Sequence, residues 1–243
     1  MSYTARYLLS AALIFCSSYV FFHGWHLPKR DVEKATASDV KVWTNPYPVS
    51  SPAHKEAREF NEWIQSNSEL DQLSNGADEL AKLELASQLE AKGLDRLPTE
   101  MLERYLPLIN KVLWSLDNKT CSDVAKGEIS GSQLATHTAR IIETMSATEA
   151  KTWFTTSQSA IDAQLRNLPI ISVAKEDVQL AILKLAASLP DYRSKIFLSN
   201  LENIRTANDE NRCATVRTVF SQTLLLPEPY QGYLARSLFS LKI

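Results

Sequence analysis

The chain has 243 residues, with 26 Lys or Arg against 28 Asp or Glu, and therefore a net charge of −2. That length suffices for one globular domain with a sizeable core, and because no basic stripe runs through the sequence, we do not expect nucleic acid as a partner. Only six glycines and ten prolines occur, whereas Ala, Leu, Glu, Lys, Gln and Arg recur at helical spacing. The composition predicts an all-α fold.

The N-terminus carries an apolar run that is long enough to cross a bilayer as a helix. Residues 7–25 read YLLSAALIFCSSYVFFHGW without a charge, between Arg6 and the pair Lys29-Arg30. We therefore predict a single transmembrane helix, a signal anchor, within residues 1–26. The alternative is a cleaved signal peptide, in which case the mature protein lacks residues 1–18. The apolar run resumes after that cleavage point, which favours retention.

The orientation of this anchor depends on two opposing signals. Positive charges at Lys29, Arg30 and Lys34 follow the run, and the positive-inside rule taken literally would keep the domain in the cytoplasm. The very short leader and a pair of cysteines in the domain favour export. We expect a single-pass protein of the cell membrane whose C-terminal domain is exported, periplasmic or extracytoplasmic. A cytoplasm-facing adaptor tethered to the membrane remains the alternative.

Beyond the anchor, residues 27–55 mix charges with prolines and show no sustained period, which predicts a linker. Residues 56–243 carry the 3.6-residue period, which predicts a bundle of eight or nine helices. A helix should end at Gly93 in a left-handed cap, and Pro107 should kink or break the next one.

Two later segments carry stronger local signals. Ser146 and Glu149 match a capping box and predict a helix start there. Residues 175–189 are apolar on more than one side, because Val178, Ile182 and Leu185 form one stripe while Leu180 and Leu183 form another. This segment should be the most buried helix.

The chain resembles itself at an offset of 92 residues, which predicts an internal repeat over about 97–124 and 189–216. Leu97-Pro98 falls on Leu189-Pro190, and Cys121 falls on Cys213. The identities are sparse, so chance similarity between helices is the alternative. Equivalent cysteines at two helix starts can reach the short Cα separation that a bond needs, and we predict a Cys121–Cys213 disulfide.

Candidate chemistry is weak throughout the sequence. No His-Glu-x-x-His or Cys-x-x-Cys motif occurs, so no metal site and no cofactor are predicted, and His137 is expected to be a boundary residue. Ser172 and Lys175 match the Ser-x-x-Lys pattern of penicillin-recognising enzymes, but no Lys-Thr-Gly accompanies them. Glutamates such as Glu100 and Glu103 are assigned to polar faces or helix starts. No small-molecule ligand is identifiable.

Four aromatic residues cluster where the linker meets the domain: Trp43, Tyr47, Phe60 and Trp63. They either seal the open end of the bundle or form a partner-binding patch. The expected function is non-enzymatic binding of another envelope or secreted protein, as an assembly factor, scaffold, chaperone or inhibitor. The alternative from another class is an exported cell-wall hydrolase that works through carboxylates.

Overall fold

A computed structural model describes residues 43–126, 128 and 131–240, which form α-helices and connecting segments without a β-strand. The all-α prediction is confirmed for these residues, although they form eleven helices rather than eight or nine. The helices are α1 Pro52–Ser66, α2 Ser68–Ser74, α3 Glu79–Gly93, α4 Thr99–Ser115, α5 Asn118–Lys126, α6 Gly131–Glu143, α7 Ala147–Leu165, α8 Lys175–Ala187, α9 Asp191–Glu202, α10 Asp209–Thr223 and α11 Tyr230–Phe239, with a 3-10 turn at Leu94–Arg96.

The predicted membrane helix at residues 7–25 and most of the predicted linker lie outside the described residues. Within the described part, none of the helices has the length and apolar character needed to cross a membrane. The described end of the linker packs on the domain, because Tyr47 is buried in the core and α1 already begins at Pro52.

Side-chain caps fix where several of the described helices begin. The predicted capping box is confirmed: Glu149 N–H donates to Ser146 Oγ, and Ser146 N–H donates to a Glu149 carboxylate oxygen. Such caps satisfy backbone N–H groups that have no partner within the helix. Further side-chain caps come from Ser51, Asn67, Asp78 and Asn208.

The short helix α2 was not predicted, because its seven residues bury a single large apolar side chain, Leu70. Two turns are too few to show a period. Its ends are nevertheless set locally. Asn67 accepts hydrogen bonds from the Glu69 and Leu70 N–H groups, and Asn75 ends the helix in the left-handed conformation with φ 53°. Asparagine is one of the few residues that adopt this conformation readily.

The buried side chains form two clusters. The larger one runs through α4 and the C-terminal helices, and the smaller one joins α1, α2, α3 and α7 through Ile64, Leu70, Ala86 and Ile161. Helix α4 is continuous through Pro107, so the predicted break does not occur. The Pro107 ring is exposed while Leu106 and Leu108 on either side are buried. Core packing on both sides holds the helix together despite the lost backbone hydrogen bond.

The prediction that residues 175–189 form the most buried helix is wrong. Helix α8 packs on α9, α10 and α11 through one face, which carries Ala181, Ile182 and Leu185. Leu180 and Leu183 are each 44% exposed on the opposite side. Its second apolar stripe therefore faces outward.

Gly93 ends α3 for a reason other than the predicted left-handed cap. Its φ is −93°, an ordinary right-handed value, and the chain continues into the 3-10 turn. A Cβ atom at this position would lie 1.8 Å from the backbone oxygen of Ala160 on α7. The glycine therefore lets α3 and α7 approach more closely than any side chain permits. We call this contact the α3–α7 seam.

The predicted internal repeat stays a prediction. Helices α4 and α9 both begin directly after a Leu-Pro pair, at Thr99 and Asp191, which keeps the offset of the sequence comparison.

Replacing Gly93 with alanine should destabilise the protein by about 3 kcal/mol or more, because the new methyl group forces the seam apart. Gly76→Ala is the matched control: its Cβ would meet no atom within 4 Å, but its φ is +72°, so it should cost only about 1 kcal/mol. Urea denaturation of both full-length variants measures the difference. Equal losses would show that the close approach is not what requires the glycine.

Candidate functional site

The predicted disulfide is present and joins α5 to α10. The Cα atoms of Cys121 and Cys213 are 5.5 Å apart, and both residues are fully buried. The bond lies between helices that pack along each other. It closes a loop with a sequence separation of 92 residues and thereby connects the middle of the chain to its C-terminal part.

Arg212 lies one residue before this bond and is buried, with an acceptor for each of its three side-chain nitrogen atoms. Its Nη1 donates to Ser122 Oγ over 2.8 Å, and Ser122 Oγ donates to Asp209 Oδ1 over 2.6 Å. Its Nε and Nη2 donate to the carbonyl oxygens of Ile204 and Arg205 over 2.8 and 2.9 Å. A buried guanidinium is tolerated when its donors are used in this way. These hydrogen bonds give Arg212 a structural role.

Two further arginines hold connecting segments to the bundle. Arg217 donates to the carbonyl oxygens of Leu113 and Leu116 at the end of α4. Arg236 on α11 donates to the carbonyl oxygens of Asp95, Leu97 and Ile171 and to Thr99 Oγ1. These carbonyls lie at helix ends or in loops, where they have no partner within a helix.

The structure brings together two carboxyl groups that are far apart in the chain. Glu103 on α4 is hydrogen-bonded to Glu228, which precedes α11. Gly232 gives them room, since a Cβ there would lie 2.8 Å from Glu103 Oε1 and 3.4 Å from Glu228 Oε2. Two carboxyl groups in hydrogen-bond contact must share a proton. The assignment of Glu103 to a solvated polar face is therefore incomplete.

The electrostatics of this pair favour the protonated form. Burial raises the pKa of Glu103 above its usual value, and so do the Glu228 charge and hydrogen bond and the Glu100 charge, while Arg236 acts in the opposite direction. Two neighbouring carboxyl groups repel each other when both are ionised, so one of them keeps its proton to a higher pH. The described residues contain no group of three His, Cys, Asp or Glu side chains that could hold a metal ion.

A third carboxyl group is turned into the bundle. Ser157 Oγ on α7 donates to Glu90 Oε1 on α3 over 2.7 Å, and Tyr105 on α4 is hydrogen-bonded to Ser157. Burial raises the pKa of Glu90 to about 7, and the Ser157 hydrogen bond lowers it in part. Ser157 and Tyr105 are each 3% exposed, whereas Glu90 itself is half-buried.

The four aromatic residues predicted as a partner-binding patch lie mostly within the packing. Tyr47 is buried and contacts Phe154 edge-on, while Phe60 packs between Phe154 and Trp63. Trp43 is half-buried, and its backbone N–H donates to Glu79 Oε2 over 2.9 Å. These contacts hold the residues before α1 against the bundle. Partner binding by this group stays a prediction.

The two remaining candidate residues lie on different elements. His137 is exposed on α6, and Ser172 is exposed in the loop before α8, whose N-cap is Ala174. Ser172 therefore lies outside the helix that begins with Lys175, instead of at its start as the Ser-x-x-Lys interpretation requires.

Exposed apolar side chains mark a surface that sequence reasoning missed. Leu180 and Leu183 on α8 lie one turn apart, and Tyr192 and Ile196 on α9 do so as well. The exposed fractions of Tyr192 and Ile196 are 62% and 56%. We call these four residues the outer α8–α9 face. The sequence signal for this surface is the second apolar stripe of α8, from which we predict a helix buried on more than one side.

Comparison with known proteins adds no assignment: no family model, no curated protein and no solved structure matches this chain significantly.

The disulfide should be present in the natively located full-length protein. With Cys16 replaced by serine, alkylation under denaturing conditions without reductant should label neither remaining cysteine, and reduction should expose two thiols. Replacing both Cys121 and Cys213 with serine should lower the free energy of unfolding by about 4 kcal/mol, because the unfolded chain loses a long loop constraint. Two free thiols before reduction would contradict both the bond and an exported domain.

Glu103→Gln should stabilise the protein at alkaline pH. A raised pKa in the folded state means that Glu103 contributes stability when protonated and loses it as pH rises through that pKa. Because a glutamine amide donates to Glu228 at every pH, the variant should gain about 0.5 kcal/mol over wild type at pH 8 and nothing at pH 4. Urea titrations at both pH values measure this. A Glu100→Gln control should show a smaller gain, and equal effects at pH 4 and 8 would contradict proton sharing.

Proposed function

We propose that this protein is a single-pass membrane protein whose exported helical domain binds another envelope or secreted protein. The observation that supports binding most directly is the outer α8–α9 face, where two consecutive helices expose four large apolar side chains. Helices α8 and α9 pack on each other. Large apolar side chains that stay exposed on neighbouring helices are typical of protein contact sites, and aromatic residues such as Tyr192 are enriched there.

The anchor and the export of the domain are proposals that rest on the sequence of residues 7–25 and on the cysteines. A disulfide between Cys121 and Cys213 fits a compartment outside the cytosol, where thiols are not kept reduced. A reporter fused to the C-terminus and active only in the cytosol would overturn the exported orientation and leave the cytoplasm-facing adaptor.

The alternative function, a cell-wall hydrolase, has the Glu103–Glu228 pair as its candidate. Glycoside hydrolysis uses two carboxyl groups about 5 Å apart when configuration is retained, or about 6.5–9.5 Å when it is inverted. Carboxyl groups that are hydrogen-bonded to each other are closer than either arrangement and leave no room for the sugar carbon between them. This pair therefore does not provide the carboxyl spacing that the hydrolase alternative needs.

The experiment compares full-length wild type with the double variant Leu183→Asp and Ile196→Asp. After chemical cross-linking in the membrane and solubilisation in detergent, the proteins bound to each are identified by mass spectrometry. The variant should recover its partner at least about tenfold less well, because charges placed in an apolar contact must be desolvated. Leu225→Asp is the matched control, since Leu225 is 73% exposed outside this face.

Circular dichroism should show that both variants keep the wild-type helix content and melting temperature. Equal recovery by all three proteins would remove the outer α8–α9 face from the binding site. Turnover of a cell-wall polymer by a preparation that holds no partner would replace the binding function with the hydrolase.

A further inference from the structure

The loop between α7 and α8, residues 166–174, exposes three large aliphatic side chains in one short stretch. Leu168, Ile170 and Ile171 are 42%, 38% and 44% exposed, and only Pro169 lies between them in the sequence. Exposed aliphatic residues that are adjacent in the chain form one small apolar surface, which residues scattered singly over a protein do not. We call Leu168, Ile170 and Ile171 the aliphatic tip.

The backbone of the aliphatic tip is held by groups from distant parts of the chain. Arg96, in the 3-10 turn after α3, donates from Nη1 to the Leu168 carbonyl oxygen. The Ile171 N–H donates to the Asp95 carbonyl oxygen over 3.0 Å. The Ile171 carbonyl oxygen accepts a hydrogen bond from Arg236 Nη1 over 3.2 Å. A fixed backbone therefore presents the aliphatic side chains to the solvent.

The same hydrogen bonds prepare this backbone for a surroundings poorer in water. The Leu168 N–H donates to the Ala163 carbonyl oxygen of α7 over 2.9 Å, and Pro169 has no N–H to satisfy. Backbone groups that are already bonded within the protein lose less on entering the edge of a bilayer than groups that are bonded to water. The aliphatic tip also holds none of the aromatic or Arg side chains that dominate protein contact centres. Both features favour lipid as its partner.

The anchor of the proposed function keeps the aliphatic tip within reach of the membrane. Between Trp25, which ends the apolar run, and Trp43, where the described residues begin, the chain spans at most about 65 Å. A domain of this size is about 40 Å across, so each of its sides can meet the bilayer. The tether gives the tip a high effective concentration at the surface. A contact from three side chains, too weak to hold a free protein, suffices under this condition.

We propose that the aliphatic tip inserts into the membrane that carries the anchor and so docks the domain on the lipid surface. Its side chains enter the boundary between headgroups and acyl chains, the depth at which amphipathic helices lie. This inference rests on the anchor in the proposed function and goes beyond it, because it assigns the domain a second membrane contact. It does not involve the outer α8–α9 face.

The charges around the aliphatic tip are mixed. Arg166 and Lys175 flank it in the sequence, but Arg166 forms an ion pair with Asp162, and Glu176 and Asp177 follow Lys175 directly. This stretch lacks the cluster of Lys and Arg residues that recognises anionic lipid. The contact therefore depends on aliphatic burial, and zwitterionic lipid should suffice for it.

Fluorescence of the full-length protein in phosphatidylcholine vesicles tests this. With Cys16 replaced by serine and the disulfide intact, Ile170→Cys supplies one thiol for an environment-sensitive nitrobenzoxadiazole label. Lipids that carry a nitroxide near the headgroup end of the acyl chain should quench this label at least about twofold. Raising the salt from about 0.1 to about 0.5 M should leave the quenching unchanged, because it does not depend on exposed charges.

Leu225→Cys is the matched control, since Leu225 is 73% exposed. It lies close in the chain to Gln222, which contacts Ser188 after the opposite end of α8. A label there should stay unquenched. Adding Leu168→Asp to the Ile170→Cys protein should reduce the inserted population about tenfold, because a charge must be desolvated to enter the bilayer. Circular dichroism should show an unchanged melting temperature, because the Leu168 side chain is exposed.

The outcomes separate this contact from the anchor. A protein that floats with the vesicles but is not quenched at position 170 overturns the docking of the tip and leaves the anchor in place. A protein that does not float overturns the anchor and this inference together. Equal quenching at positions 170 and 225 contradicts a specific contact. A label that is shielded only in native membranes, and not in pure lipid, assigns the tip to a protein partner and also overturns the proposal.

Discussion

The fold depends on how the backbone carbonyls at its many helix ends are satisfied. A bundle of short helices has many such ends, and each leaves carbonyl groups without a partner in its own helix. In the described chain the arginines of α10 and α11 supply donors to several of them. Arg217 holds the end of α4, and Arg236 joins the turn after α3 to the segment before α8. The C-terminal helices therefore hold the connections of helices that precede them by up to 141 residues.

The same principle explains why a disulfide lies between α5 and α10. Helix α5 has nine residues, fewer than an isolated helix needs to persist in water. Cys121, the Ser122 hydroxyl and their contacts to Cys213 and Arg212 hold it against α10. Arg212 also donates to the carbonyls of Ile204 and Arg205 just after α9. One junction thus fixes α5, α10 and the end of α9.

Sequence reasoning succeeded where one residue or one short pattern determines the outcome. Ser146 and Glu149 cap α7 as predicted, and the offset between Cys121 and Cys213 led to the disulfide. It failed where the reason lies on another helix. Gly93 is required by the Ala160 carbonyl of α7, and Glu103 meets Glu228 only because α11 returns to α4. Since neither contact has a local pattern, periodicity could not reveal them.

Periodicity also does not reveal whether another helix packs on an apolar stripe. The proposed binding site depends on that difference. Both stripes of α8 are apolar in sequence, but only one has a partner helix in the described chain. The other stripe, with Leu180 and Leu183 each 44% exposed, is the one on which the proposed contact with a partner depends. The junction at Arg212 holds the segment directly after α9, and α9 in turn packs on α8 and α10. A rigid face loses less conformational freedom when a partner binds, and this favours affinity from few side chains.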